Sequence, residues 1–287
     1  MKKSKKQLER LGSLKLEDDS SRITCASIGQ TSTSVVCAGD DQLRISLWRI
    51  SNAKPKMALT GQTTEISCIN FNKDENKVFS GSAGGTIYAW DLGGMRAASK
   101  LTGHLTTCLC VTPGRQPTTE SYIVSGANDT QVKLWDTRTK ACAQTFKGHT
   151  KPVHCVDFSP DGAWIASGAA DGSLKIWDVG TGKVVKDFFC PEQTVTSIAF
   201  NPRHFTIANG STDRSIKFYD LERFEAINVT PYDLSSIQAL CFCEEEPDLA
   251  FACSQDHLKV WNLETNEMYD SFQLPIKPVF GFRVNEA

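Results

Sequence analysis

Arg44-Ile45-Ser46-Leu47-Trp48, Thr86-Ile87-Tyr88-Ala89-Trp90-Asp91, Val132-Lys133-Leu134-Trp135-Asp136, Leu174-Lys175-Ile176-Trp177-Asp178, Ile216-Lys217-Phe218-Tyr219-Asp220 and Leu258-Lys259-Val260-Trp261-Asn262 are six versions of one segment. Their aromatic residues stand at 48, 90, 135, 177, 219 and 261, at intervals of 42, 45, 42, 42 and 42. A fixed period of this length means one supersecondary unit repeated along the chain.

Working outward from Trp177, each unit reads as four short strands. Val153 to Phe158 alternates, Ser159-Pro160-Asp161-Gly162 turns, and Trp164 to Ser167 is a second strand. Ala169 to Gly172 turns again, Leu174 to Trp177 is the third strand, Gly180-Thr181-Gly182 turns, and Lys183 to Phe188 is the fourth. Gly, Pro and Asp at this spacing punctuate a meander, not a helix. A single meander cannot bury both its faces. Stacking the units around an axis does, which predicts an all-β propeller with almost no helix.

Composition agrees. Of 287 residues 40% are hydrophobic and 22% charged, as in globular chains. No apolar run is long enough for a membrane helix. Lys2, Lys3, Lys5, Lys6 and Arg10 make residues 1–11 a basic flexible leader without the apolar stretch of a secretory signal. The rest of the chain is mildly acidic, which disfavours nucleic acid as a partner. A cytoplasmic chain would keep its 11 cysteines reduced.

The Gly-His pairs Gly103-His104 and Gly148-His149, with the Trp-Asp pairs, resemble the WD40-repeat family over residues 12–287. The resemblance implies a hydrogen-bonded His, Ser, Asp and Trp in a repeat: His104, Ser125, Asp129 and Trp135 in unit three, His149, Ser167, Asp171 and Trp177 in unit four. Unit one has an extra residue before Trp48, unit two has Gly84 in place of Asp, and unit five keeps Asp213 but lacks His. Units end near 50, 92, 137, 179, 221 and 263. Lys277-Pro278-Val279 echoes Lys151-Pro152-Val153, so six blades and a partial seventh, residues 276–287, are expected.

A narrower resemblance is to the katanin-type WD-repeat regulatory subunits. It rests on Asn209 to Glu225, on Gly39-Asp40-Asp41 followed by Ile45 to Ile50, and on Thr60-Gly61, Gly81-Ser82 and Val132 to Arg138. It implies a non-ATPase part that localises or regulates a microtubule-severing ATPase, with microtubules and that ATPase as partners, at spindle poles, centrosomes or ciliary basal bodies. Such subunits engage the ATPase through a separate helical C-terminal domain, which residues up to 287 do not supply. The alternative is another WD scaffold, such as an axonemal or centriolar structural protein or a ubiquitin-ligase substrate receptor.

No motif demands an enzyme, a metal or a cofactor. Ser-His-Asp sets occur in two successive units at matching offsets, whereas a catalytic site is made once. Cys25, Cys68, Cys110 and Cys155 share one strand position, filled later by Ser197, Ala239 and Gly281, which calls for a small residue. Cys108 and Cys110, like Cys241 and Cys243, would face one side of a strand, but no C-x-x-C pair exists. Gly180-Thr181-Gly182-Lys183 lacks the earlier glycine of a phosphate loop, because Trp177 stands there.

In the resembled family, partners usually dock on the rim of turns between strands d and a and between b and c. By repeat phase that rim holds Arg22, Asp40, Glu65, Thr107, Asn128, His154, Thr194 and Gln238. Protein partners are expected there, with no small-molecule substrate, nucleic acid or membrane.

Overall fold

The computed structural model describes residues 21–29, 35–50, 55–94, 96–190, 193–231, 235–243, 246–255, 257–263, 265 and 267–273. Among them every regular element is a strand. Blade one is β1 (Ile23–Ile28), β2 (Val35–Asp40), β3 (Ile45–Arg49) and β4 (Met57–Leu59); blade two is β5 (Ile66–Phe71), β6 (Lys77–Ser82), β7 (Ile87–Asp91) and β8 (Arg96–Leu101). Blade three is β9 (Cys108–Pro113), β10 (Tyr122–Ala127), β11 (Val132–Asp136) and β12 (Ala141–Phe146); blade four is β13 (Val153–Phe158), β14 (Trp164–Ala169), β15 (Ser173–Asp178) and β16 (Val184–Phe189). Blade five is β17 (Val195–Phe200), β18 (Thr206–Ser211), β19 (Ile216–Asp220) and β20 (Glu225–Val229); blade six is β21 (Ala239–Phe242), β22 (Leu249–Cys253), β23 (His257–Asn262) and β24 (Glu267–Gln273). Each sheet is antiparallel and runs in chain order. The four-strand unit read outward from Trp177 is blade four, whereas the bounds near 50, 92, 137, 179, 221 and 263 fall after the third strand of each sheet, one strand short of the blade's end.

The blades stack because both faces of each sheet are apolar. In β15, Leu174 and Ile176 pack against blade five, with Val195 and Ile207, while Trp177 packs toward blade three, with Val132 and Phe146. Five such interblade cores follow one another, one per seam, and a sixth cluster, with Phe251 and Val260, belongs to blade six alone. The inner strands pack side by side in the order β1, β5, β9, β13, β17, β21; no comparable packing joins β21 to β1 among the described residues. Six blades of a β-propeller are thus present. The expected seventh unit and the basic leader lie outside the described residues.

The small-residue position is explained by its partner across the ladder. Cys25, Cys68, Cys110, Cys155 and Ser197 sit opposite Gly39, Gly81, Gly126, Gly168 and Gly210. A Cβ on Gly168 would lie 2.3 Å from Val195 Cγ1 of the next blade and 2.7 Å from Cys155 Sγ, so the seam closes only over glycine. Blade six departs from this pattern, with Ala239 facing Cys253.

A feature the repeat did not reveal is a β-bulge in each of the first five inner strands, at Thr24, Ser67, Leu109, His154 and Thr196. The bulge corrects the expectation that Cys108 and Cys110 share a side. With Leu109 extra, Cys108 packs in the seam to blade two and Cys110 against Val153 of blade four.

Candidate functional site

The Ser-His-Asp sets are assembled as the repeats predict. His104 Nδ1 donates to Asp129 (2.9 Å), the Ser125 hydroxyl donates to Nε2 (2.8 Å), and Trp135 Nε1 donates to Ser125 Oγ (2.8 Å). In blade four, His149 meets Asp171 at 3.2 Å and Ser167 at 2.7 Å, and Trp177 donates to Ser167 at 2.7 Å. Each aspartate also accepts the backbone N–H that follows its histidine, from Leu105 and from Thr150, which ties the turn before the inner strand to the turn after the second. Burial lowers the pKa of both histidines against the pull of their carboxylates, so the rings are neutral. Burial pushes Asp171 up, but the Ser173 hydroxyl and the N–H groups of Thr150 and Ser173 outweigh it and hold it at about 2.

The constellation has the connectivity of a hydrolase triad without its access. Ser125 and Ser167 are each 0% exposed, and each oxygen is already held by a histidine and a tryptophan. No reacting group reaches them. These networks clamp turns.

The other blades depart from this pattern. In blade two, Gln62 takes the histidine place and accepts from Ser80 at 2.9 Å; with Gly84 in the aspartate place, Gln62 Nε2 is buried without a partner. In blade five, Asp213 pairs with Lys217 Nζ at 3.1 Å, and Lys217 also donates to Gln193 (2.6 Å) and Cys190 (3.3 Å). Sequence reading missed this replacement. The aspartate without its histidine was visible, but a lysine four residues on is not distinctive, since Lys133 and Lys175 follow Asp129 and Asp171 at the same spacing. In blade six, Ala252 stands in the serine place and Trp261 Nε1 is left unpaired.

The predicted rim is built from turns that bond to one another. The carbonyls of Arg22, Glu65, Thr107 and Thr194 accept the N–H of Asp41 (3.0 Å), Ala83 (2.8 Å), Asn128 (2.9 Å) and Thr212 (3.0 Å). The extra residue of unit one therefore places Asp41, not Asp40, on the rim. Asp40 is 1% exposed and holds Arg44 at 3.2 Å, which corrects its assignment as a partner contact. Arg22, Glu65, Asn128 and His154 are exposed, and Thr107, Thr194 and Gln238 are half-buried. Thr107 Oγ1 is already engaged with the carbonyl of Ala83. At the bulge positions Thr24, Ser67 and Thr196 turn their hydroxyls onto the glycine carbonyls of their own blades, whereas the His154 ring has no hydrogen-bond partner among the described residues. Partial desolvation lowers its pKa.

All 11 cysteines are free thiols. Burial, with Cys68 adding to it, pushes Cys25 up to about 12. Among the described residues no three His, Cys, Asp or Glu side chains converge as metal ligands.

Six four-stranded blades, two of them clamped by His, Ser, Asp and Trp, define a WD-type β-propeller, a protein-interaction scaffold fold that indicates no catalytic family. The chain belongs to the family described as WD domain, G-beta repeat, which matches residues 53–91, 96–136, 140–178 and 182–220. It is 37% identical over 105 residues to coatomer subunit beta'-1 of Arabidopsis thaliana, covering 35% of this chain and 11% of that protein. It is 31% identical over 155 residues to the guanine nucleotide-binding protein subunit beta of Arabidopsis thaliana, covering 49% of this chain and 40% of that protein. To the katanin p80 WD40 repeat-containing subunit B1 of Danio rerio it is 33% identical over 68 residues, covering 24% of this chain and 10% of that protein. The chain thus matches less than half the length of each of these relatives, and the katanin match is shorter than the other two.

Proposed function

We propose that this propeller is a non-enzymatic targeting or regulatory part of a katanin-like microtubule-severing assembly, acting at the spindle pole, centrosome or ciliary basal body. What supports the non-catalytic part of this reading is the sealing of every Ser-His-Asp set inside a blade. What supports the katanin part is the resemblance carried by residues 209–225 and the partial similarity to the Danio rerio subunit. An acidic body binds acidic tubulin poorly, so contact runs through a protein partner or through residues 1–10.

The test is co-sedimentation of the chain with microtubules, with and without a katanin ATPase subunit. Pelleting that depends on the ATPase subunit or on residues 1–10 is expected. Binding of bare microtubules at high salt by protein lacking residues 1–10 would overturn the mechanism. The longer similarity to a coatomer subunit favours, as second reading, another WD scaffold. Absence from the microtubule pellet under every condition would select it.

A further inference from the structure

Lys217 has a neighbour that its counterparts in blades three and four lack. Lys133 and Lys175 stand at the same place before the blade tryptophan and end on the hydroxyl of Thr145 and the carboxylate of Asp187. Lys217 Nζ lies 3.3 Å from Cys190 Sγ, with the Asp213 carboxylate at 3.1 Å and Gln193 Oε1 at 2.6 Å. The Tyr219 hydroxyl is 4.0 Å from the same sulfur. Cys190 directly follows β16, and its N–H donates to the Gly172 carbonyl of blade four, whereas Lys217 stands in β19 of blade five. The sulfur and the amine nitrogen thus meet across the seam of two blades.

Position separates this thiol from others in the chain. Cys25, Cys110 and Cys155 lie in the seams, where burial pushes the thiol up and makes it a poor nucleophile. Cys190 is half-buried and the Lys217 side chain is 13% exposed, so the pair is open to a small oxidant. Cys142 is more exposed, but its sulfur lies against the Gln144 carbonyl and the Thr145 hydroxyl, not against an amine. Burial lowers the pKa of Lys217, but Asp213 and Cys190 outweigh it and raise it, so the amine reacts through its small unprotonated fraction.

We propose that hydroperoxides oxidise Cys190 and that Lys217 captures the product, closing a reversible sulfenamide bond between blades four and five. The sulfur attacks one peroxide oxygen, the O–O bond breaks, the second oxygen leaves as water, and the thiol becomes a sulfenic acid. The unprotonated Lys217 nitrogen then attacks that sulfur. An S–N bond forms, the S–O bond breaks, and the hydroxyl leaves as water with a hydrogen of the amine. Thiol, ammonium and one hydrogen peroxide thus give one S–N bond, two waters and one proton; the sulfur loses two electrons and the peroxide gains them. The linked nitrogen carries no charge. Asp213, beside Thr212 of the rim, loses its cation and keeps Ser215 as donor. Oxidation therefore makes the rim of blade five more negative by one unit while stapling the seam beneath it. The proposal is independent of the microtubule assignment.

The test treats the full, unsubstituted chain with hydrogen peroxide, blocks remaining thiols with N-ethylmaleimide, and maps tryptic peptides by mass spectrometry. A linked pair of peptides 187–203 and 215–223 is expected, uncut at Lys217 and two hydrogens lighter than their sum. Dithiothreitol should part them and return the free thiol. Lys217→Arg keeps the charge but cannot close the bond in the same place, so that variant should stop at the sulfenic acid, which dimedone traps on Cys190. Asp213→Asn removes the carboxylate that favours the ammonium, so the link should form faster, a change that a merely structural contact would not produce. Unaltered melting temperatures verify the fold of both variants. Oxidation of Cys190 to sulfinic acid without a link, a linked pair that retains the peroxide oxygen, or a link made equally to other lysines overturns the proposal. So does a link that dithiothreitol leaves intact. None of these outcomes bears on the scaffold reading, which the microtubule pelleting tests separately.

Discussion

Blades three and four and blades five and six share one strand pattern and differ in how they fill the same four buried places. In the first pair, every polar atom of the His, Ser, Asp and Trp set has a partner. In the second pair the set is rebuilt around Lys217 in blade five, where Asn209 Oδ1 stays unpaired, and is absent from blade six, where Trp261 Nε1 stays unpaired. Since the blades fold alike, seam packing and not the polar set specifies the propeller. The set adds turn-to-turn clamping on top of it.

The strongest test compares two tryptophans. Trp177→Ala removes a ring 1% exposed and takes from Ser167 one of its two partners, so a loss of about 4 kcal/mol is expected in urea unfolding. Trp177→Phe should still cost roughly 1–2 kcal/mol, because the hydrogen bond to Ser167 goes with the nitrogen. Trp261→Phe should be neutral or slightly stabilising, because it deletes a buried N–H that has no partner. Equal costs for the two Phe variants would mean that the polar set contributes nothing.

The seams offer a second contrast. Gly168→Ala places a methyl 2.3 Å from Val195 and is expected to cost about 2–3 kcal/mol. Blade six already carries Cys253 at the corresponding place, and Cys253→Ala should cost under about 1.5 kcal/mol. A mild Gly168→Ala would mean that the seam is looser than its van der Waals contacts indicate.

How much of this was legible follows from what repetition can encode. The 42-residue period and the alternation around Trp177 give the blade, since both come from burial that recurs in every unit. The equivalence of Cys25, Cys68, Cys110 and Cys155 was legible for the same reason. Asp40 was misplaced because one extra residue shifts the phase in unit one, and a shift of one turns a side chain from rim to interior. The bulges at Leu109 and His154 were not legible, because a bulge is defined by the partner strand and not by the residue that forms it. The Lys217 replacement was hidden because it changes the chemistry of the clamp while leaving the spacing untouched.

Acid should separate the blades next. His104 and His149 have lowered pKa values in the fold, so the unfolded chain takes up protons first. Their contribution is complete above about 6.5 and is lost as pH falls toward the folded values. Asp171, held at about 2, adds stability that is present above its unfolded value near 3.8 and is lost as pH falls toward 2. Part of that contribution is screened, leaving roughly 1 kcal/mol. Stability measured from pH 7 to pH 3 should therefore decline in two stages, and His149→Gln should flatten the upper one. An unchanged upper stage would assign it to groups outside the clamps.

The smallest expected effect is also the most direct test of the comparison, because it builds the clamp where it is missing. Blade two already has Trp90 donating to Ser80 at 2.9 Å and Ser80 bonded to Gln62, but Gln62 Nε2 lacks an acceptor because position 84 is glycine. Gln62→His alone leaves Nδ1–H equally orphaned and should cost about 1 kcal/mol. Gly84→Asp alone should lie near zero. The nearest atoms its new Cβ would meet belong to the Thr64 side chain, at 3.2 Å and beyond, and it gains a little from lower unfolded-state entropy. Together the two restore the arrangement of His104 and Asp129, with the carboxylate also within reach of the turn before β5. The double variant should exceed the starting protein by about 1 kcal/mol, a coupling of about 2 kcal/mol between the sites in a double-mutant cycle. A coupling near zero would show that the polar set in blades three and four accompanies their stability without contributing to it.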